Sequence, residues 1–159
     1  MVTKRKPTRV KSAARRRPRR KSSAPPPEPH IKREPVDPKE VQLAKGKGTA
    51  ETGGGPGGHY WHIETGKKRA GNIFINIIEC ELYGEHPSVQ IHLNKDQRGK
   101  QIGRVAYRLA CEESGYEKVY AHMRKSNFAS RRAAEEAGFK ALDDKRTQLT
   151  MVWEHPSQK

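Results

Sequence analysis

The chain is short of the side chains that build cores. Only 32% of its 159 residues are hydrophobic and 6% are aromatic, with a mean hydropathy of -1.04. So polar a chain cannot fold along its whole length, and order must be concentrated in part of it. The two cysteines, Cys80 and Cys111, are too few and too far apart for a disulfide framework or a thiolate metal site. They read as buried thiols in a reducing compartment. No run of 18 apolar residues occurs, so no membrane-spanning helix is expected. The basic start has no apolar stretch behind it, which argues against a secretory signal.

Residues 4–21 contain no acidic side chain and eleven basic ones, Lys4, Arg5, Lys6, Arg9, Lys11, Arg15, Arg16, Arg17, Arg19, Arg20 and Lys21. They account for most of the net charge of +15 and leave +4 for the remainder. Such a stretch repels itself and is expected to be disordered alone. It suits salt-dependent association with the phosphates of DNA or RNA. A nuclear-import signal or a solvated tail has the same composition. The chain is therefore expected inside the cell, in the nucleus of a eukaryote or in the cytoplasm or nucleoid of a bacterium or phage host.

Prolines at 25, 26, 27, 29, 35 and 38 follow, a stretch suited to spacing rather than packing. Val41-Gln42-Leu43-Ala44 reads as a helical turn, and Gly53-Gly54-Gly55-Pro56-Gly57-Gly58 as a flexible hinge. The expected organisation is an arm and linker over residues 1–58, one folded domain over 59–156 and a tail at 157–159. About 100 residues can bury one modest core.

Nearly all the aromatic residues lie after residue 59. Residues 60–64, 72–79 and 88–93 read as three strands of an antiparallel meander, with Val89, Ile91 and Leu93 on one face. Ile102, Val105, Ala106, Leu109 and Ala110 recur at helical spacing, and Gly115 marks a helix end. Residues 118–123 make another strand. A second helix runs from Ser126 or Phe128 to Ala137, and residues 139–142 and 148–153 close the set as a hairpin. The fold class expected is α/β, a mixed, mainly antiparallel sheet with two packed helices.

Chemistry is concentrated between Leu93 and Arg104. Backbone amides at this strand-to-helix junction, with the helix dipole and Arg98, Lys100 and Arg104, suit a phosphate or pyrophosphate. A solvated, glycine-containing helix entrance would carry the same residues. No Gly-Lys-Ser/Thr follows, so it is not a Walker loop, and the dinucleotide-binding glycine pattern is missing.

Arg98-Gly99-Lys100-Gln101-Ile102-Gly103-Arg104 resembles motif A of the Gcn5-related N-acetyltransferase (GNAT) family. Asn127-Phe128-Ala129-Ser130-Arg131-Arg132-Ala133-Ala134-Glu135-Glu136-Ala137-Gly138-Phe139 is similar to motif B. The resemblance implies acetyl-coenzyme A as cofactor, with its pyrophosphate on the backbone from Arg98 to Arg104. It implies a pantetheine arm along Ile91, His92 and Leu93, Asn127 beside that arm, and Ser130 near the thiol. Two positions depart from the family pattern. Gln101 stands where the middle glycine of motif A falls, and Ala134 where members often carry a tyrosine that protonates the leaving thiolate. Read by itself, Asn127 is an ordinary helix N-cap.

The implied reaction is direct attack of a substrate amine on the acetyl thioester, which needs a base to leave the nitrogen neutral. Glu79, Glu81 and His92 are the candidates, with Glu79 and His92 preferred. Family members have a strand and two helices ahead of the meander, where this chain has its basic arm and glycine hinge, so the domain resembles a reduced form. A pocket shortened in that way would be completed by a second subunit, giving a homodimer, or by a macromolecular substrate. The alternative expectation is a non-catalytic nucleic-acid-associated or structural protein that keeps the fold. An open cleft would favour the enzyme, and a cleft filled by Gln101 or Trp61 the alternative.

Overall fold

The computed structural model describes residues 33–142 and 147–158, and the basic stretch 4–21 lies outside the described residues. Seven strands form one sheet: β1 (Val41–Lys45), β2 (His59–Thr65), β3 (Lys68–Cys80), β4 (Gly84–Leu93), β5 (Lys118–Arg124), β6 (Lys140–Leu142) and β7 (Gln148–Glu154), in the order β1-β2-β3-β4-β5-β7-β6. Helix α1 (Ile102–Ser114) connects β4 to β5, and α2 (Phe128–Glu136) follows β5. All pairings are antiparallel except β4 with β5, where the register is the single pair Ser88 and Tyr120. No helix of the described residues is long and apolar enough to cross a membrane.

Alternation decides what each sheet face carries. Trp61, Ile73 and Ile91 stand opposite one another across β2, β3 and β4, and Val119, Ala121 and Met123 face Trp153, Met151 and Leu149 across β5 and β7. Both helices join this apolar face: Ile102, Val105, Ala106, Ala110, Ala134 and Phe139 belong to the same buried cluster. Completely burying one such aliphatic side chain contributes about 1.5–3 kcal/mol. Gly103 brings the helices together, since a Cβ there would lie 3.3 Å from that of Ala133. Helix α1 stops at Gly115, whose φ of 75° reverses the chain. Among the described residues no helix covers the other face, so the sandwich is open.

Two expectations about the front of the domain change. Val41–Ala44 is strand rather than helical turn, and the sheet begins there, eighteen residues before His59. Asp37 does start a helical turn, its side chain accepting from Lys39 N–H, but the turn ends at Glu40 and β1 then pairs with β2. A strand thus precedes the meander, and residues 46–58 join the two as a loop without helix. The glycine-rich part of that loop is pinned. Gly53 N–H donates to Asn76 Oδ1 at 2.6 Å, Asn76 Nδ2 donates to Glu51 O at 2.6 Å, and the Tyr116 hydroxyl donates to Gly57 O.

Candidate active site

The link from β4 to α1 is built from backbone conformation. Asn94 N–H donates to Ala70 O at 2.8 Å and its Nδ2 to Arg69 O at 3.0 Å, fixing the strand exit. After a 3-10 turn at Lys95–Gln97, Gly99 (φ 78°) and Gln101 (φ 61°) take left-handed conformations. Gln101 is the sole non-glycine with positive φ among the described residues. The site therefore has the shape a glycine would take, held by a residue for which it costs about 1–2 kcal/mol. The amides of Ile102, Gly103 and Arg104 follow at the start of α1, where no helical carbonyl can accept them.

Cations surround this cup. Arg98 is exposed, with Nε donating to Leu93 O at 3.2 Å, and Lys100 Nζ donates to Gln97 Oε1 at 3.3 Å. Arg104 Nε is shielded from solvent without a hydrogen-bond partner among the described residues, while its Nη1 is 3.9 Å from Glu136. A hydrogen bond from Gln97, helped by the nearby charges of Lys100 and Arg33, holds the Asp96 carboxyl below its usual range. Helix start, left-handed turns and cations together suit an anion.

Next to it the sheet opens. With one register pair between them, β4 and β5 diverge beyond Ser88 and Tyr120. The gap is a cleft of about 190 Å³ lined by Val89, Gln90, Ile91, Tyr107, Ala121, His122, Met123, Asn127 and Ser130. Backbone amides and carbonyls of strands that have separated need other partners, so an extended amide-bearing ligand fits such a gap. One wall comes from the helices. Asn127 caps α2, its Oδ1 accepting from Ser130 N–H at 3.2 Å. Burial pushes the Tyr107 phenol up to about 12, and the Ser130 side chain beside it acts in the opposite direction. The Tyr107 ring meets Phe139 edge-on at 5.7 Å.

The other wall carries imidazoles. His122 Nε2 is 2.9 Å from His86 Nε2, His86 Nδ1 is 2.8 Å from Gly84 O, and His122 Nδ1 is 3.3 Å from Thr150 Oγ1. Since His122 and Thr150 are register partners on adjacent strands, the sheet itself aligns this chain of groups.

The residues singled out in the sequence fall in three places. Ile91, Asn127 and Ser130 line the cleft. Leu93 ends β4, and Arg98, Gly99, Lys100, Gln101, Ile102, Gly103 and Arg104 form the turn and first helical residues beside it. Glu79 and His92 are exposed and do not line the cleft: Glu79 pairs with Glu85 near the β3–β4 turn, and His92 pairs with Asn72 on the sheet face away from the helices. Neither Trp61 nor Gln101 fills the gap, Trp61 being buried in the core and Gln101 exposed. Ala134 is fully buried, and Tyr107 from α1 supplies the phenol that faces the cleft. Sequence reasoning missed Gln90, Tyr107, His122 and Met123.

A cleft between parting strands thus lies near a helix start rich in cations and left-handed turns. The profile of the Acetyltransferase (GNAT) domain matches residues 28–140, and the chain belongs to that family. No curated protein matches the chain. Among solved structures, Mycobacterium smegmatis RimJ in complex with CoA-disulfide superposes with a TM-score of 0.52 at 16% identity, over 64% of this chain and 55% of that one. A domain from Methanocaldococcus jannaschii gives 0.50 at 21% identity, over 62% and 68%. A chimera of spermidine N-acetyltransferase SpeG from Vibrio cholerae with hSSAT gives 0.50 at 19% identity, over 62% and 66%. These likenesses establish the fold. The match spans little more than half of the RimJ chain.

Proposed function

We propose that the protein is an acetyl-coenzyme A-dependent N-acetyltransferase in which an amine attacks the thioester directly. The observation that carries this reading is the open cleft between β4 and β5, lined by Ile91, Tyr107, Asn127 and Ser130, on the strand that leads into the cationic start of α1. Its geometry suits coenzyme A with the pyrophosphate on the amides from Arg98 to Arg104, beside the exposed Arg98 and half-buried Lys100. Ile91 and Asn127 would flank the pantetheine, and Ser130 and Tyr107 would stand nearest the thioester.

In this reading the amine nitrogen bonds to the acetyl carbon, the carbon–sulfur bond breaks, the amine loses one proton and the thiolate gains one. His122, the imidazole lining the cleft, takes the proton at Nδ1 once that atom gives up its hydrogen bond with Thr150 Oγ1, while its Nε2 stays on His86 Nε2. The Tyr107 phenol, neutral at physiological pH, hydrogen-bonds the departing sulfur. Glu79 and His92 are less well supported as bases because neither lines the cleft. The open cleft likewise favours the enzyme over a non-catalytic nucleic-acid-associated protein.

The test is calorimetric titration of the full chain with acetyl-coenzyme A and coenzyme A, followed by thiol release with small amines, polyamines and lysine peptides. Expected are micromolar binding and a thermal shift, ligand at 100 times Kd adding about 2.7 kcal/mol. Absence of both heat and stabilisation at millimolar ligand would overturn the reading.

A further inference from the structure

Arg33 lies in the segment that the sequence assigns to the linker, sixty-five residues from Arg98, yet it reaches the turn before α1. Its Nη1 donates to Lys95 O at 2.8 Å and to Arg98 O at 2.9 Å. Three residues on, Val36 N–H donates to Lys100 O at 3.0 Å. Three carbonyls of the turn thus point toward one short segment, and two of them meet a single guanidinium nitrogen.

That direction has a consequence on the opposite side. A trans peptide is planar, with its C=O and N–H pointing opposite ways. Drawing the carbonyls of Arg98 and Lys100 toward residues 33–36 turns the N–H groups of Gly99 and Gln101 away from that segment. These two are also the left-handed residues of the turn. The strained conformation of Gln101 needs something to hold it, since for a side-chain-bearing residue the ordinary right-handed region lies lower by about 1–2 kcal/mol. The Val36–Lys100 bond grips the peptide immediately before it, and Arg33 the one before Gly99.

Accepting the coenzyme A reading above, on which this rests, we infer that Arg33 is a positioning residue for cofactor binding: by holding the carbonyls of Lys95 and Arg98 it presets the amides that receive the pyrophosphate. It acts through the turn and does not itself touch the reacting atoms. Preorganised donors bind an anion without first being ordered, so loss of the clamp weakens binding and leaves the chemical step alone.

The experiment uses the full chain with Arg33→Ala and Arg33→Lys. Calorimetry gives Kd for coenzyme A, and steady-state rates are compared for acetyl-coenzyme A and acetyl-pantetheine, which has no pyrophosphate. Arg33→Ala is expected to raise Kd for coenzyme A about tenfold, because the two hydrogen bonds that order the turn are lost. KM for acetyl-coenzyme A rises in step, while kcat and the KM for acetyl-pantetheine stay as they were. Arg33→Lys keeps the charge and one donor nitrogen on a shorter side chain, so it is expected to recover part of the loss. Unchanged Kd in Arg33→Ala or an equal loss with acetyl-pantetheine would each overturn the proposal. Failure of the unaltered protein to bind coenzyme A would remove the functional reading and this inference with it, whereas either of the first two outcomes removes only the role of Arg33.

Discussion

His86 and His122 face each other through their Nε2 atoms at 2.9 Å, and the outer partner of each ring dictates who donates. Gly84 O can only accept, so His86 Nδ1 carries a hydrogen. In the neutral pair His86 Nε2 then accepts, His122 Nε2 donates, and His122 Nδ1 is the basic atom, facing the Thr150 hydroxyl. His122→Gln is expected to lower kcat/KM by about 10²-fold, the usual range for a lost base beginning there. Coenzyme A affinity should be unchanged in that variant, and steady-state rates with calorimetry check both.

Tyr107 makes a second prediction, because a buried phenol pushed up to about 12 keeps its proton at neutral pH and can donate it. Tyr107→Phe keeps the ring against Phe139 and removes one hydrogen bond to a developing charge, worth about 1.5–3 kcal/mol. A fall in kcat of about 10–100-fold is expected. Independently of turnover, the thiol of bound coenzyme A, followed by thiolate absorbance, should titrate about one unit higher or more in the variant. Stability has its own sign. The phenol is raised from 10.0, so the folded protein holds the proton more tightly, and that contribution, complete below pH 10, is lost as pH rises toward 12. The phenylalanine variant should lack this alkaline loss in denaturant titrations.

Why the cleft residues escaped a reading of the sequence follows from where they stand. Strands and helices were legible because Val89, Ile91 and Leu93 alternate and Ile102, Val105, Ala106, Leu109 and Ala110 recur at helical spacing. Tyr107 lies off that stripe and is buried because α2 packs on α1 as a second neighbour, a contact no local period encodes. His122 alternates with Ala121 and Met123 and so reads as a solvated strand position; its partners His86 and Thr150 are thirty-six and twenty-eight residues away. β1 was misread for a related reason. Asp37-Pro38-Lys39-Glu40 is a genuine helix-start signal, and only pairing with distant Ile63 and Trp61 turns the next residues into a strand. The turn before α1 was legible because glycine spacing and charge mark it directly.

Gln101 allows the backbone of that turn to be tested without touching a charge. Gln101→Gly relieves a left-handed conformation costing about 1–2 kcal/mol and adds glycine's unfolded-state freedom, about 0.5–1 kcal/mol in the other direction. The expected net is a gain of up to about 1.5 kcal/mol, with coenzyme A binding no weaker. Gly99→Ala does the reverse at φ 78° and should lose up to about 1.5 kcal/mol. Equilibrium urea unfolding of the two variants reads both signs in one assay.

His59 governs the acid side of stability. It opens β2 with its ring stacked on Trp61 at 5.3 Å and edge-on to Tyr116 at 5.8 Å. Burial, and then the charge of Lys45, holds its imidazole below 6.5. The folded protein therefore binds fewer protons here than the unfolded chain just below that pH, and stability rises with pH across the window. The contribution is complete above pH 6.5 and is lost as pH falls through it toward the lower folded value. His59→Gln should flatten this part of the profile. Lys45→Ala should flatten it less, because burial is the larger cause. Urea midpoints between about pH 5 and 8 make the comparison. A Lys45→Ala profile as flat as that of His59→Gln would assign the shift to the charge and leave burial at Trp61 and Tyr116 without a part in it.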